Sequence, residues 1–272
     1  MLRKSIVVSS ICLIIIVLLS CMVFEHKEYR SNNITKISYS EYAVNYEMEY
    51  KIVNGSLYGK GKNNLCLFGD DKYKFYDDWV KIVDTKNIIH IEAMNGTIIY
   101  LTDTGEVYGL GNSEGIFDTE ELILSPKLLF NDCKYVSIGI KFALFIKNDD
   151  SLWFIGESKN GQSTKMQDNI YSPIQIEKDI AFAKAFGYTS VWLGKDKSLY
   201  LCGDNSYGQI GNGSQGSGFP TLYQDIVLTP YVAIENCLDF SIVNEKSIEA
   251  TTDDGATYIW GGEYGNKPRL KK

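Results

Sequence analysis

Residues 196–213 read DKSLYLCGDNSYGQIGNG: a polar turn, a short apolar strand, a glycine and a second glycine-rich turn. Their first eight residues return four more times, at 54–61 (NGSLYGKG), 104–111 (TGEVYGLG), 149–156 (DDSLWFIG) and 254–261 (DGATYIWG). The closing glycines Gly61, Gly111, Gly156, Gly203 and Gly261 stand 50, 45, 47 and 58 residues apart. A period near fifty marks a repeat architecture in which no unit buries its own core and neighbours must stack.

Each copy begins with Asp, Asn or Thr and then Gly, Asp or Lys, residues that supply a tight hairpin turn. Leu57-Tyr58, Val107-Tyr108, Leu152-Trp153, Leu199-Tyr200 and Thr257-Tyr258 follow, the residue types that strands favour. Before each turn lies a second apolar run, such as Ile98-Ile99-Tyr100-Leu101 or Phe142-Ala143-Leu144-Phe145-Ile146. These runs are apolar on both faces, so both faces should be covered. A further strand precedes each glycine by roughly twenty residues, at 88–91, 135–138, 180–183 and 240–243. Ile37-Ser38-Tyr39 opens the series. The unit is strand, strand, turn, strand and a long polar loop, close to a four-stranded blade. The fold class is therefore all-β, a β-propeller of about five repeat blades, and no useful helical period appears after residue 30.

The copies resemble the regulator of chromosome condensation repeat family, whose pattern is D-G-x-hydrophobic-aromatic-x-x-G followed by N-x-x-G-Q-L-G. Residues 196–213 carry it most fully, residues 149–162 and 254–266 in part, and the first two copies keep only the strand. The resemblance covers 36–272. WD repeats need Gly-His and Trp-Asp dipeptides, which the chain lacks, and kelch repeats need a double glycine that only Gly261-Gly262 supplies. Family members usually close seven blades, roughly 350 residues at this period. Only 237 residues run from 36 to 272, so five blades close a smaller ring or form an open arc. The short tail after Gly262 favours closure, with the last strand supplied from near Ile37.

Residues 1–24 form a separate N-terminal segment, and 25–35 a polar spacer before the repeat domain at 36–272. Residues 5–24 (SIVVSSICLIIIVLLSCMVF) are twenty uncharged positions, long enough to cross a bilayer as a helix. Arg3 and Lys4 precede them, which places the repeats on the extracytoplasmic side. An uncleaved anchor is the first reading. A lipoprotein signal is the second, since Leu18-Leu19-Ser20-Cys21 resembles a lipobox and would leave Cys21 lipidated. A cleaved secretory signal is the third.

The formal net charge of −7 argues against nucleic-acid binding, which needs a basic footprint. The family's best-known member acts on chromatin and exchanges nucleotide on a small GTPase, partners that an extracytoplasmic domain does not meet. Cys66, Cys133, Cys202 and Cys237 lack C-x-x-C partners and read as small buried hydrophobes, so no metal or cofactor site is expected. His90 sits in an apolar strand and reads as a core residue. The acid pairs Asp70-Asp71, Asp77-Asp78 and Asp253-Asp254 read as turn caps. No catalytic residues are expected.

Binding in repeat folds falls on loops. Residues 70–79 (DDKYKFYDDW) offer Tyr73, Phe75, Tyr76 and Trp79, and residues 216–223 (GSGFPTLY) offer Phe219 and Tyr223. Exposed aromatics are typical interface anchors, although packing over the blade ends is the plainer role. The reading is a non-catalytic extracytoplasmic propeller that binds a protein partner. The resemblance, which extends to secreted inhibitors of β-lactamase, implies inhibition as a special case. The alternative is a carbohydrate- or cell-wall-binding module.

Overall fold

The computed structural model describes residues 37–45, 47–68, 74–216, 225–244 and 246–272. The N-terminal segment, Cys21, Tyr73, Phe219 and Tyr223 lie outside the described residues. Among the described residues no helix is long and apolar enough to cross a membrane.

Among the described residues twenty strands form five antiparallel four-stranded sheets, each a meander in chain order. Blade 1 holds β1 (Tyr42–Asn45), β2 (Met48–Val53), β3 (Ser56–Lys62) and β4 (Phe75–Val83). Blade 2 holds β5 (Ile88–Met94), β6 (Thr97–Thr102), β7 (Val107–Gly111) and β8 (Ile123–Phe130). Blade 3 holds β9 (Cys133–Gly139), β10 (Phe142–Lys147), β11 (Leu152–Ser158) and β12 (Gln167–Glu177). Blade 4 holds β13 (Ile180–Phe186), β14 (Thr189–Gly194), β15 (Leu199–Asp204) and β16 (Ile226–Ile234). Blade 5 holds β17 (Cys237–Asn244), β18 (Ser247–Thr252), β19 (Thr257–Trp260) and β20 (Arg269–Leu270).

The recurrent octapeptide is the turn between second and third strands plus the third strand itself. Its closing glycine is a steric requirement. Gly203 has φ 112°, and a Cβ there would lie 2.4 Å from the Tyr188 carbonyl oxygen. The corresponding backbone oxygen crowds Gly61, Gly111, Gly156 and Gly261 equally.

Three expectations need correction. The long polar loop contains the fourth strand, so residues 75–79, and with them Asp77 and Asp78, belong to β4 rather than to a loop or turn. Blade 1 starts at Tyr42, not Ile37, because Ser40 is held by blade 2: its N–H donates to His90 Nδ1 at 2.8 Å and its carbonyl accepts from Ile91 N–H at 2.9 Å. Blade 5 finishes with its own β20, not with a strand from near Ile37.

Blades dock by one repeated device. The first residue of an inner strand donates its N–H to the hairpin turn of the blade before: Ile88 to Gly55 (3.0 Å), Cys133 to Gly105 (2.9 Å), Ile180 to Asp150 (2.9 Å) and Cys237 to Lys197 (2.8 Å). Behind these bonds the second strands β6 and β14 are buried on both faces, and β10 nearly so. Ile98 and Tyr100 pack toward blade 1, Ile99 and Leu101 toward blade 3.

The end blades break this pattern in complementary ways. On β2 the positions equivalent to Ile98 and Tyr100 are Glu49 and Lys51, and on β18 those equivalent to Ile99 and Leu101 are Glu249 and Thr251; all four are half-buried. None of the buried clusters spans blades 5 and 1. A Cβ on Gly255, at the turn where a sixth blade would dock, meets no atom within 4 Å. Among the described residues the five blades thus form an open arc with polar outer faces, of the kind terminal capping repeats have, which corrects the closed ring that the short tail favoured. Ring closure would bury Glu49, Lys51 and Glu249 against one another at a desolvation cost.

At the axis the inner strands carry an aromatic ladder, at equivalent positions in blades 2, 3 and 4 and one residue further along in blade 5. His90 stacks on Tyr135 (5.0 Å), Tyr135 meets Phe182 (4.9 Å) and Phe182 meets Phe240 (5.6 Å). His90 is thus a core rung: Nδ1 accepts from Ser40 and Nε2 donates to the Val136 carbonyl. Glu92 ties three blades beside it. Its carboxylate accepts from Ser137 Oγ (3.0 Å) and Ile138 N–H (2.7 Å), with His90 Nε2 and Lys184 Nζ each 3.7 Å away. Burial opposes its charge most strongly, but Lys184, His90 and the Ile138 amide together outweigh burial and hold its pKa at about 2.

Two outcomes follow for this carboxylate. Glu92→Gln should lower unfolding free energy by about 1–2 kcal/mol in denaturant titration, because Ser137 and Ile138 lose a charged acceptor and the partly exposed Lys184 its counter-charge. The native pKa lies below the ordinary value of about 4.3. The stabilisation is therefore complete above that value and lost as pH falls toward about 2. Melting curves between these limits should slope less steeply for the variant than for the parent.

Candidate interaction face on blade 1

Of the predicted aromatics, the described residues include Phe75, Tyr76 and Trp79, and β4 sorts them into different environments. Tyr76 turns inward. Its ring stands edge-on to Phe68 (5.8 Å, 82°) against the cluster shared by blades 1 and 2. Phe75 is 58% exposed at the start of the strand. Trp79 is half-buried on the outer side, where the Lys51 ammonium lies 4.1 Å and the Lys60 ammonium 5.0 Å from its ring centroid. The cation–π geometry is favourable at both lysines.

The register explains this sorting. Gly59 pairs with Val80 and Gly61 with Tyr76, so Asp77, Asp78 and Trp79 all face the single residue Lys60. The same three-against-one bulge recurs in blades 2, 3 and 4, where 124–126 face Leu110, 171–173 face Ile155 and 228–230 face Cys202. Bulges twist a strand and re-aim its side chains. Leu110, Ile155 and Cys202 are buried against the preceding blade; blade 1 has none before it, and Lys60 fills the slot.

Around Trp79 the face is a lattice of polar pairs. Glu49 accepts from Tyr42 Oη and pairs with Lys60 at 3.1 Å. Lys62 pairs with Glu47 at 3.1 Å, and Lys81 with Asp84 at 3.1 Å, the latter also accepting from Ser56 Oγ. Through these hydrogen bonds Asp84 titrates below, and Lys81 above, its ordinary value. Val44, 54% exposed on β1, adds apolar surface. Lys51 and Lys60 were missed at the sequence level. The signal for Lys51 is MEYKIV at β2, where central blades have TIIYLT or FALFIK, and that for Lys60 is its place in β3, where those blades have Leu110, Ile155 and Cys202.

Other candidates resolve as packing groups. Burial pushes the thiols of Cys133 and Cys202 up to about 12 and that of Cys237 to about 11, as for inert core cysteines. Asp254 caps a turn by accepting from Ala256 N–H at 3.0 Å.

No family model matches the chain. Mouse Alsin is 27% identical over 200 residues, which are 66% of this chain and 12% of that protein. The chain thus spans a small fraction of this curated relative. Among solved structures, yeast Prp20p, described with its binding to Gsp1p and histones, superposes with a TM-score of 0.70 at 16% identity, covering 85% of this chain and 64% of that one. Human WBSCR16 gives 0.68 at 15% identity, covering 86% and 68%. Yeast RCC1 (Prp20) in its complex with Kap60 gives 0.68 at 16% identity, covering 85% and 63%. The fold is RCC1-like. Matching most of this chain to about two thirds of a longer propeller agrees with an open arc of consecutive blades.

Tyr76→Ala should cost about 2 kcal/mol in chemical denaturation, because it opens a cavity beside Phe68. Phe75→Ala should stay within about 0.5 kcal/mol of the parent. Equal losses at both positions would contradict the inward and outward sorting by the bulge.

Proposed function

We propose that this protein is a non-catalytic interaction module, held on the extracytoplasmic side of a membrane by residues 5–24, that binds a protein partner through the outer face of blade 1. The observation that carries this reading is Trp79 on a terminal sheet that no described residue covers, flanked by Lys51 and Lys60, with Val44 and Phe75 exposed on the same blade. Tryptophan and tyrosine set among polar pairs form the usual composition of a protein-binding hot spot and its rim. The solved neighbours described with Gsp1p, histones and Kap60 lend the fold-level precedent.

The carbohydrate alternative is weaker on geometry. A sugar stacks on a bare aromatic face, whereas the Trp79 ring carries two lysines and Tyr76 packs inward. Inhibition is the special case in which the partner is an enzyme whose active-site mouth this face covers.

The test is capture from a cell-surface extract by the full chain in detergent micelles. One protein should be retained saturably, and Phe75→Ala with Trp79→Ala should reduce its retention by about tenfold or more, the effect of a single anchor. Retention of glycan or wall fragments, insensitive to that double substitution, would replace this reading with the carbohydrate one.

A further inference from the structure

The four long outer strands, β4, β8, β12 and β16, are the exposed edges of their sheets. An unpaired edge is a template for a further strand, and proline is one of the devices that block it. Blades 2, 3 and 4 carry that device at one slot. Pro126, Pro173 and Pro230 each end the three-residue bulge, immediately before Lys127, Ile174 and Tyr231 return to register. In blade 5 the outer strand is only Arg269–Leu270 and follows Pro268 directly. In blade 1 the slot holds Trp79, immediately before Val80. Strand β4 is therefore the one long, proline-free outer edge among the described residues. The three prolines also show that blade geometry does not use the N–H at this slot internally.

We propose that β4 is a strand-addition site, at which an extended basic segment of a partner protein pairs with blade 1 as its fifth strand. This deepens the protein-binding reading above and rests on it. The segment's carbonyl would accept the Trp79 N–H, and its side chains would alternate between the Trp79 and Phe75 surfaces. Its basic character follows from Asp77 and Asp78, both exposed in the bulge. The same pair argues against a second copy as occupant, since two β4 edges would set these carboxylates against each other.

The experiment pans a random dodecapeptide library, displayed on phage, against the full chain and two variants. Trp79→Pro gives blade 1 the residue that blades 2, 3 and 4 already carry; Trp79→Ala removes the indole and keeps the N–H. Enriched peptides should be poor in proline, rich in alternating β-branched residues and Lys or Arg. They should bind the Ala variant more weakly than the parent, for loss of the indole, and the Pro variant at least about tenfold more weakly than the Ala variant. Hydrogen exchange in β4 should slow on binding. No enrichment over an unrelated protein, or undiminished binding to the Pro variant, overturns the proposal. Equal loss in both variants also overturns it, leaving an indole-anchored face and the protein-binding reading intact. Should the Pro variant fail to fold, Asp77→Lys with Asp78→Lys decides: the selected peptides should turn from basic to acidic, and an unchanged selection refutes strand addition.

Discussion

Everything in this fold rests on the docking of one blade against the turn of the one before. A blade alone is a four-stranded sheet whose second strand is apolar on both faces, and such a sheet has no stable existence in water. The N–H donated to the preceding hairpin fixes where the next sheet begins, and the apolar rows of facing second strands fill the space behind it. Four such junctions occur among the described residues, each with the same bond and with buried apolar side chains behind it. The axis then imposes a second constraint. Inner strands converge there, so their side chains must stack; His90, Tyr135 and Phe182 do so at one equivalent position, and Phe240, one residue further along its strand, completes the row. Glu92 is affordable in that setting only because Ser137, Ile138 and Lys184 meet it from neighbouring blades.

A repeat that builds itself this way has two ends, and the ends must be made of different residues. Where a central blade places Ile98 and Tyr100, blade 1 places Glu49 and Lys51; where it places Ile99 and Leu101, blade 5 places Glu249 and Thr251. These substitutions do not damage the core, because the opposite faces of the same strands stay apolar: Met48, Tyr50 and Ile52 on one side of the arc, Ile248 and Ala250 on the other. Polar residues on these faces are the kind that terminal repeats present to water.

Much of this was legible in the sequence. The glycine period located all five hairpins, since a closing glycine is the only residue that the crossing backbone tolerates. The inner strands were legible for a similar reason: β5, β9, β13 and β17 hold the apolar runs at 88–91, 135–138, 180–183 and 240–243. The outer strands were not. Their bulges break the two-residue alternation by which strands are recognised, and proline argues against a strand wherever it falls. Yet Leu124-Ser125-Pro126, Tyr171-Ser172-Pro173 and Leu228-Thr229-Pro230 repeat as faithfully as the glycines do. The open arc was not read, since the short tail favoured closure; its mark is the difference of MEYKIV and SIEATT from TIIYLT and FALFIK, a contrast of composition rather than of period.

The site was less legible than the fold because it depends on departures from the repeat. Grouping Phe75, Tyr76 and Trp79 as one aromatic loop treats three residues as equivalent, and the bulge makes them unequal: one is exposed, one packs in the core, and one is held between two lysines. What distinguishes Trp79 is the comparison with the slot that holds Pro126, Pro173 and Pro230. A position that three blades use to close an edge is, in the first blade, given a residue with an N–H and a large indole. In repeat proteins the structure common to all units accounts for stability, so a residue that departs from its equivalents at a terminal, uncovered face is the place where function can differ without cost to the stack.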